Sequence, residues 1–290
     1  DPSSTPEQTA QALERLTKAA EAGQDCAQYA LGKIYRDGQG VEKDIQKAVA
    51  LFTLAATKEN SFAAFALGKL YLAGDAALPR DPAAALKWLT YAAELGNQFA
   101  QYRLGKLLLK GDDGIPKDVI TAIRWLTAAA KQENGYAEYA LALVYLTGED
   151  APKDSVKALS LLKRSAGRGN QFAQYRLGKL LLQGEDAPKD VKAAIRWLTA
   201  AAEQGNQYAQ YALGKLYLLG KEVPKDRSSA IKWFQLAADQ GNEYAQYFLK
   251  HMDDRLGQPP VAAVISLFHH LANIFQEQNQ PPPSGGVRVA

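Results

Sequence analysis

Few side chains in this 290-residue sequence could act as nucleophile, base or metal ligand, and their spacing keeps them apart. There are three histidines, His251, His269 and His270, all near the C-terminal end. Adjacent residues on a helix point about 100° apart, so His269 and His270 do not form a metal pair. Cys26 falls at a helix start, but no histidine lies near it in sequence to serve as its base. Gly38-Gln39-Gly40 follows a helical pattern and not a strand, which removes the context that a dinucleotide-binding turn needs. Gly105-Lys106 lacks the upstream glycine and the Ser or Thr of a phosphate-binding loop. Asp112-Asp113 and Asp253-Asp254 read as turn and helix-end residues. The expectation is therefore no catalytic set, no cofactor, no metal site and no enzyme activity.

The residues that do recur suit binding. A stripe at i, i+4, i+8 and i+11 appears as Gln98, Tyr102, Lys106 and Leu109, then as Gln171, Tyr175, Lys179 and Leu182, then as Gln207, Tyr211, Lys215 and Leu218. Earlier copies carry Tyr29 with Lys33 and Phe65 with Lys69. Aligned side by side, these would form an aromatic row that holds apolar or main-chain groups and a lysine row that attracts an acidic group or a C-terminal carboxylate. One copy departs from the row with Gly135, Tyr139, Leu143 and Leu146, an uncharged stretch at its middle. Arg103 and Arg176 replace the usual alanine of the pattern and could reach a phosphate or a carboxylate. The competing reading packs the tyrosines between helices and leaves the lysines and arginines to solvent. The candidate partner-binding residues are Tyr102, Lys106, Tyr139, Leu143, Tyr175, Lys179, Tyr211 and Lys215.

Such stripes require helices repeated at one period, and the sequence contains them. A six-residue phrase recurs as AQYALG at 27–32, AAFALG at 63–68, AQYRLG at 100–105, AEYALA at 137–142, AQYRLG at 173–178, AQYALG at 209–214 and AQYFLK at 245–250. Its leucines, Leu31, Leu67, Leu104, Leu141, Leu177, Leu213 and Leu249, lie 36 or 37 residues apart, because the loops GDAALPRD and GDDGIPKD are one residue longer than GEDAPKD. The string NQFAQYRLGKLLL at 97–109 returns at 170–182, two units on. Each unit reads as two helices. In 206–241, Asn206 is a suitable N-cap, Ala209, Leu213, Leu216 and Tyr217 form an apolar stripe, Gly220 closes the first helix, and Asp226 caps the second. Gly23, Gly96, Gly169, Gly205 and Gly241 end second helices, whereas Glu59 and Glu133 break that pattern. Glycines inside the first helices, at 32, 68, 105, 178 and 214, each cost about 1 kcal/mol against alanine, which implies a close backbone approach. Ala142 and Lys250 occupy the same position in two units.

The expected organisation is an extension at 1–5, a solenoid at 6–256, a C-terminal capping helix at 257–278 and a disordered tail at 279–290. The segment 6–22 matches a second helix, and the helix after Pro260 is too short and too polar to span a membrane. The fold class is all-α, a solenoid of stacked helix-turn-helix units of about 36 residues, since a unit this short cannot bury its face alone. A hydrophobic fraction of 47% suits an ordinary folded chain, and 34 basic against 31 acidic residues give a net charge of +3, too small an excess for a nucleic-acid binder. With one cysteine the chain cannot form an internal disulfide, which favours a cytoplasmic over a secreted setting. The polar start DPSSTPEQ suggests a processed form or a fragment, so a further N-terminal domain is expected to be separate or missing.

The pattern A-x-Y-x-L-G-x-x-Y-x-x-G, a Pro-x-Asp loop and A-x-x-W-x-x-x-A-A-x-x-G resembles the Sel-one-like repeat (SLR) family of the tetratricopeptide-like superfamily. The likeness runs from about residue 6 to 256, with tryptophan at Trp88, Trp125, Trp197 and Trp233 but leucine at Leu51 and Leu161. The resemblance implies a right-handed superhelix of helix pairs and an adaptor role, with a protein or peptide bound on the concave face lined by first helices. Very similar arrays resemble segments appended to relaxases of mobile elements, which gives the alternative of a docking module for a DNA-processing protein. Self-assembly through the terminal helix is a further alternative, so oligomers are possible.

Overall fold

The computed structural model describes residues 6–111 and 114–251, which form fourteen helices in helix pairs. The first helices of the units are α2 (Asp25–Asp37), α4 (Ser61–Ala73), α6 (Gln98–Lys110), α8 (Gly135–Thr147), α10 (Gln171–Gln183), α12 (Gln207–Leu219) and α14 (Glu243–His251). The second helices are α1 (Pro6–Glu21), which precedes the first full pair, then α3 (Ile45–Ala56), α5 (Pro82–Glu94), α7 (Val119–Lys131), α9 (Ser155–Gly167), α11 (Val191–Glu203) and α13 (Arg227–Asp239). Two compact units divide between Leu213 and Gly214, inside α12. In the first, each of α1 to α10 packs on the next helix, and α6 also touches α8; this is an all-α solenoid. In the second, α13 packs on α14. The extension at 1–5, the terminal helix at 257–278, the tail, His269, His270 and both Asp-Asp pairs lie outside the described residues, as does the side chain of His251.

Capping explains why the helices begin where they do. Asp44, Asp81, Asp118, Asp154, Asp190 and Asp226, each the last residue of its loop, accept a hydrogen bond from the backbone N–H three residues on, at 2.8–3.1 Å. Asn60, Asn97, Asn134, Asn170, Asn206 and Asn242 do the same for the first helices, at 2.9–3.2 Å. Successive loops are joined by ion pairs, Lys43–Asp75 at 2.8 Å, Lys117–Asp150 at 2.6 Å and Lys153–Asp186 at 2.8 Å, so the lysine just before the aspartate cap of a second helix reaches the next repeat.

The core lies between the paired helices. Ala63, Ala100, Ala137 and Ala173 are wholly buried at the first turn, and Leu67, Leu104, Leu141 and Leu177 lie beneath them. The largest wholly buried side chain of each second helix from α3 to α13 is not the tryptophan of the pattern but the residue after that position: Phe52, Leu89, Leu126, Leu162, Leu198 and Phe234 have no exposure, while Trp88, Trp125, Trp197 and Trp233 are half-buried. That successor sits against the intrahelical glycine. A Cβ on Gly68, Gly105 or Gly178 would stand 2.6, 2.6 or 2.7 Å from the Cγ of Leu89, Leu126 or Leu198. The close approach is therefore within a unit, between its own two helices.

Glu59 and Glu133, the two exceptions to glycine after the second helices, adopt left-handed φ values of 62° and 65°. Gly205 holds φ 86° at the same point, with nothing within 4 Å of where its Cβ would be, so backbone conformation alone selects the glycine there. Glu59→Gly is expected to raise stability by about 1 kcal/mol, and Gly205→Glu to lower it by a similar amount. Thermal unfolding followed by circular dichroism reads both changes.

The units are also joined by a polar slot. Gln101 Nε2 donates to the Ala93 carbonyl at 3.0 Å, and Gln132 Nε2 donates to Gln101 Oε1 at 2.9 Å. Gln174 repeats this with Ala166 at 3.1 Å and Gln204 at 2.8 Å. Counting repeats from the pair α2 and α3, unit four, the pair α8 and α9, fills the slot with a carboxylate, since Glu138, with 0% exposure, meets Arg164 Nη2 at 2.6 Å and Arg168 Nε at 3.3 Å. Arg164 Nη2 also donates to the Ala130 carbonyl at 3.3 Å, the acceptor that a glutamine would otherwise serve. An ion triad has replaced an amide pair.

Candidate binding face of the first helices

Asn caps and buried alanines fix the rotation of each first helix, which places the residues two and five positions after the cap on one side. The ring at the fifth position meets the ring at the second position of the next first helix. Ring centroids lie 6.2 Å apart for Tyr29–Phe62, 6.4 Å for Phe65–Phe99, 5.9 Å for Tyr102–Tyr136, 6.3 Å for Tyr139–Phe172 and 6.1 Å for Tyr175–Tyr208. This spacing suits favourable aromatic pairs. Tyr102, Tyr139 and Tyr175 are thus half-buried between neighbouring helices. Burial pushes the Tyr102 and Tyr175 hydroxyls up to about 12, and the Tyr139 hydroxyl rises for the same reason.

Four of the five outer members of these pairs are exposed, whereas Phe172 is half-buried. Phe62 is 51% exposed, Phe99 49%, Tyr136 51% and Tyr208 40%. The stripe at i, i+4, i+8 and i+11 does not include them. Their signal was present in the period itself, because an aromatic residue stands two places after every first-helix cap from Asn60 onward, and only Cys26 takes that place in the first unit.

Lysines lie one turn further along. Lys69 Nζ stands 5.7 Å from the Phe65 ring centroid and Lys106 Nζ 5.9 Å from that of Tyr102. Lys106, Lys179 and Lys215 are half-buried. Burial lowers the Lys106 pKa, and the neighbouring Arg103 and Lys110 lower it further. Burial also lowers the pKa of Lys215, with Lys221 adding to the effect. Arg103 and Arg176 each hold a buried Nε with no hydrogen-bond acceptor. Leu143 takes the lysine position on α8 and is half-buried, as is Tyr211 on α12.

The structure brings Tyr102, Lys106, Tyr139, Leu143, Tyr175 and Lys179 to equivalent positions on α6, α8 and α10 of the first compact unit. Tyr211 occupies the same position on α12, and Lys215, further along that helix, belongs to the second unit. Among the described residues no group of three or more His, Cys, Asp or Glu side chains could hold a metal ion, and no helix is long and apolar enough to cross a membrane. An open depression of about 520 Å³ is lined by residues of α5 alone, among them Leu86, Lys87, Trp88, Tyr91 and Glu94.

A helix pair with an Asn cap, a buried Ala-Leu-Gly core strip and an Asp-capped partner, repeated along the chain, defines an α-solenoid of short repeats. The Sel1 repeat family matches at residues 27–60, 61–97, 98–134, 135–170, 171–206 and 207–242, and the chain belongs to it. Among solved structures, c5321, a protective antigen of uropathogenic Escherichia coli strains displaying an SLR fold, is 35% identical with a TM-score of 0.75, over 86% of this chain and 53% of the antigen. A Sel1 repeat protein from Oxalobacter formigenes is 28% identical with a TM-score of 0.69, over 79% of this chain and 99% of that protein. The chain thus spans about half the length of the E. coli antigen. No curated protein matches it. Sel1 repeats are a scaffold fold, generally non-enzymatic, and proteins built from them generally mediate protein–protein interaction.

Proposed function

We propose that this chain is a non-catalytic scaffold that holds a protein or peptide partner against the face of its first helices. The observation that carries the reading is the ladder of half-open rings, Phe62, Phe99, Tyr136 and Tyr208, beside a row of partly desolvated lysines. Aromatic groups of this exposure are favoured anchors at interfaces, because they give large contact area at small entropic cost. The lysines would steer an acidic partner and the rings would anchor it. Since the inner rings Tyr102, Tyr139 and Tyr175 are engaged in helix packing, the outer rings take the anchoring role and the inner ones support them.

The variant Phe99→Ser with Tyr136→Ser and Tyr208→Ser tests this. It is expected to lose the partner that the native array captures from a lysate of the source cells, with an affinity loss of about 100-fold for three anchors worth roughly 1 kcal/mol each. Circular dichroism is expected to show a helix content matching the native chain. Retention of the same partner by the variant would move the interface to the second helices.

A further inference from the structure

The cations of the first helices are not spread evenly, and their order specifies the partner more closely than the proposed function does. In units one to three they crowd together. Burial lowers the Lys69 pKa, and Arg36 from one neighbouring helix and Arg103 from the other lower it further. The carboxylate that opposes this at Lys69 is Asp37, which is engaged with Arg36 at 2.6 Å. Like charges held together in partly buried positions favour a ligand that brings negative charge. The buried Arg103 Nε without an acceptor lies within the same group. Unit four then interrupts the lane with Leu143, and Arg176, whose Nε is likewise without an acceptor, resumes it in unit five beside Tyr139.

The repeat fixes a ruler. Neighbouring packed helices lie about 10 Å apart, and an extended chain rises about 3.3 Å per residue. One helix of this face therefore corresponds to about three residues of an extended ligand. We propose that the partner segment is an extended acidic peptide read at every third residue: carboxylates opposite Lys69 and opposite Arg103 with Lys106, an apolar side chain opposite Leu143, and a further carboxylate opposite Arg176 with Lys179. The outer rings of the ladder stack on the main chain between these positions. This assignment rests on the proposed function, since it places the ligand on the same face.

The test uses the full chain and a fluorescein-labelled peptide of Ser and Gly in which Glu, Glu, Leu and Glu stand three residues apart. The peptide is made in both chain directions and compared with a shuffled peptide of the same composition and with one carrying Lys for Glu. In fluorescence anisotropy, one direction of the spaced peptide is expected to bind about tenfold tighter than the shuffled one, with lysine peptides bound still more weakly and affinity falling as salt rises. The variant Lys69→Ser with Lys106→Ser is expected to remove about that tenfold preference while its unfolding midpoint stays near the native one. Equal binding of spaced and shuffled peptides, or preference for the lysine peptide, overturns the assignment. Should the native array still capture a lysate partner that the outer-ring variant loses, only the acidic ruler fails and the interaction face stands. If that capture is also insensitive to the rings, both fail together.

Discussion

Replacing Arg164 and Arg168 together by alanine is expected to lower the stability of the array by about 3 kcal/mol, measured by urea unfolding. The loss belongs to the carboxylate left behind: Glu138 has 0% exposure, whereas the arginine side chains are 50% and 32% exposed and reach solvent readily. A buried charge without partners is far costlier than the ion triad itself is stabilising. The neighbouring units show the remedy, because Gln101–Gln132 and Gln174–Gln204 fill the equivalent slot with amides. Adding Glu138→Gln and setting position 168 to glutamine is therefore expected to recover most of the loss. Full stability in the Arg164→Ala, Arg168→Ala protein would mean that Glu138 finds water and that the slot is open.

Gly178→Val is expected to destabilise the chain by about 2–3 kcal/mol, because the first methyl-bearing carbon already stands 2.7 Å from Leu198 Cγ and 3.0 Å from the Ala194 carbonyl oxygen. The contact partners are a wholly buried leucine and a helix backbone, and neither gives way cheaply. Gly178→Ala is expected to cost much less, since alanine regains about 1 kcal/mol of helix propensity that offsets part of the clash. Unit four provides the precedent, with Ala142 fully buried at the same position. Unfolding midpoints of the two variants distinguish steric exclusion from a preference for a flexible residue: comparable losses for Ala and Val would contradict the steric account.

The helix pairs, their caps and the close approach at the glycines were legible because each is repeated at one period, so that noise in a single unit cannot hide them. Asn206 and Asp226 cap as their residue types require, and Glu59 and Glu133, anomalous in sequence, are the non-glycine residues with positive φ among the described residues. Less legible was which neighbour each side chain meets. The stripe containing Tyr102 and Lys106 follows one helix, but ring pairing joins different helices, and the outer ring of each pair lies three residues before the inner one in its own helix. The tryptophan of the second helix marks the repeat pattern, yet the residue after it faces the glycine. The Glu138 exchange could be seen as a departure from AQY, but its compensation sits at the end of α9 and just past it, 26 and 30 residues later, where Arg164 and Arg168 look like ordinary surface arginines.

The ion triad of unit four lies wholly between the two copies of NQFAQYRLGKLLL, which start at residues 97 and 170. Glu138, Arg164 and Arg168 therefore travel as a self-contained cassette. An excision that fused the first copy to the second would remove two whole units with all three charges and would leave Gln174 with the Ala93 carbonyl in place of that of Ala166. The array can in this way shorten or lengthen by two repeats at a stroke without stranding a buried carboxylate, and the face of its first helices would shorten or lengthen in the same step.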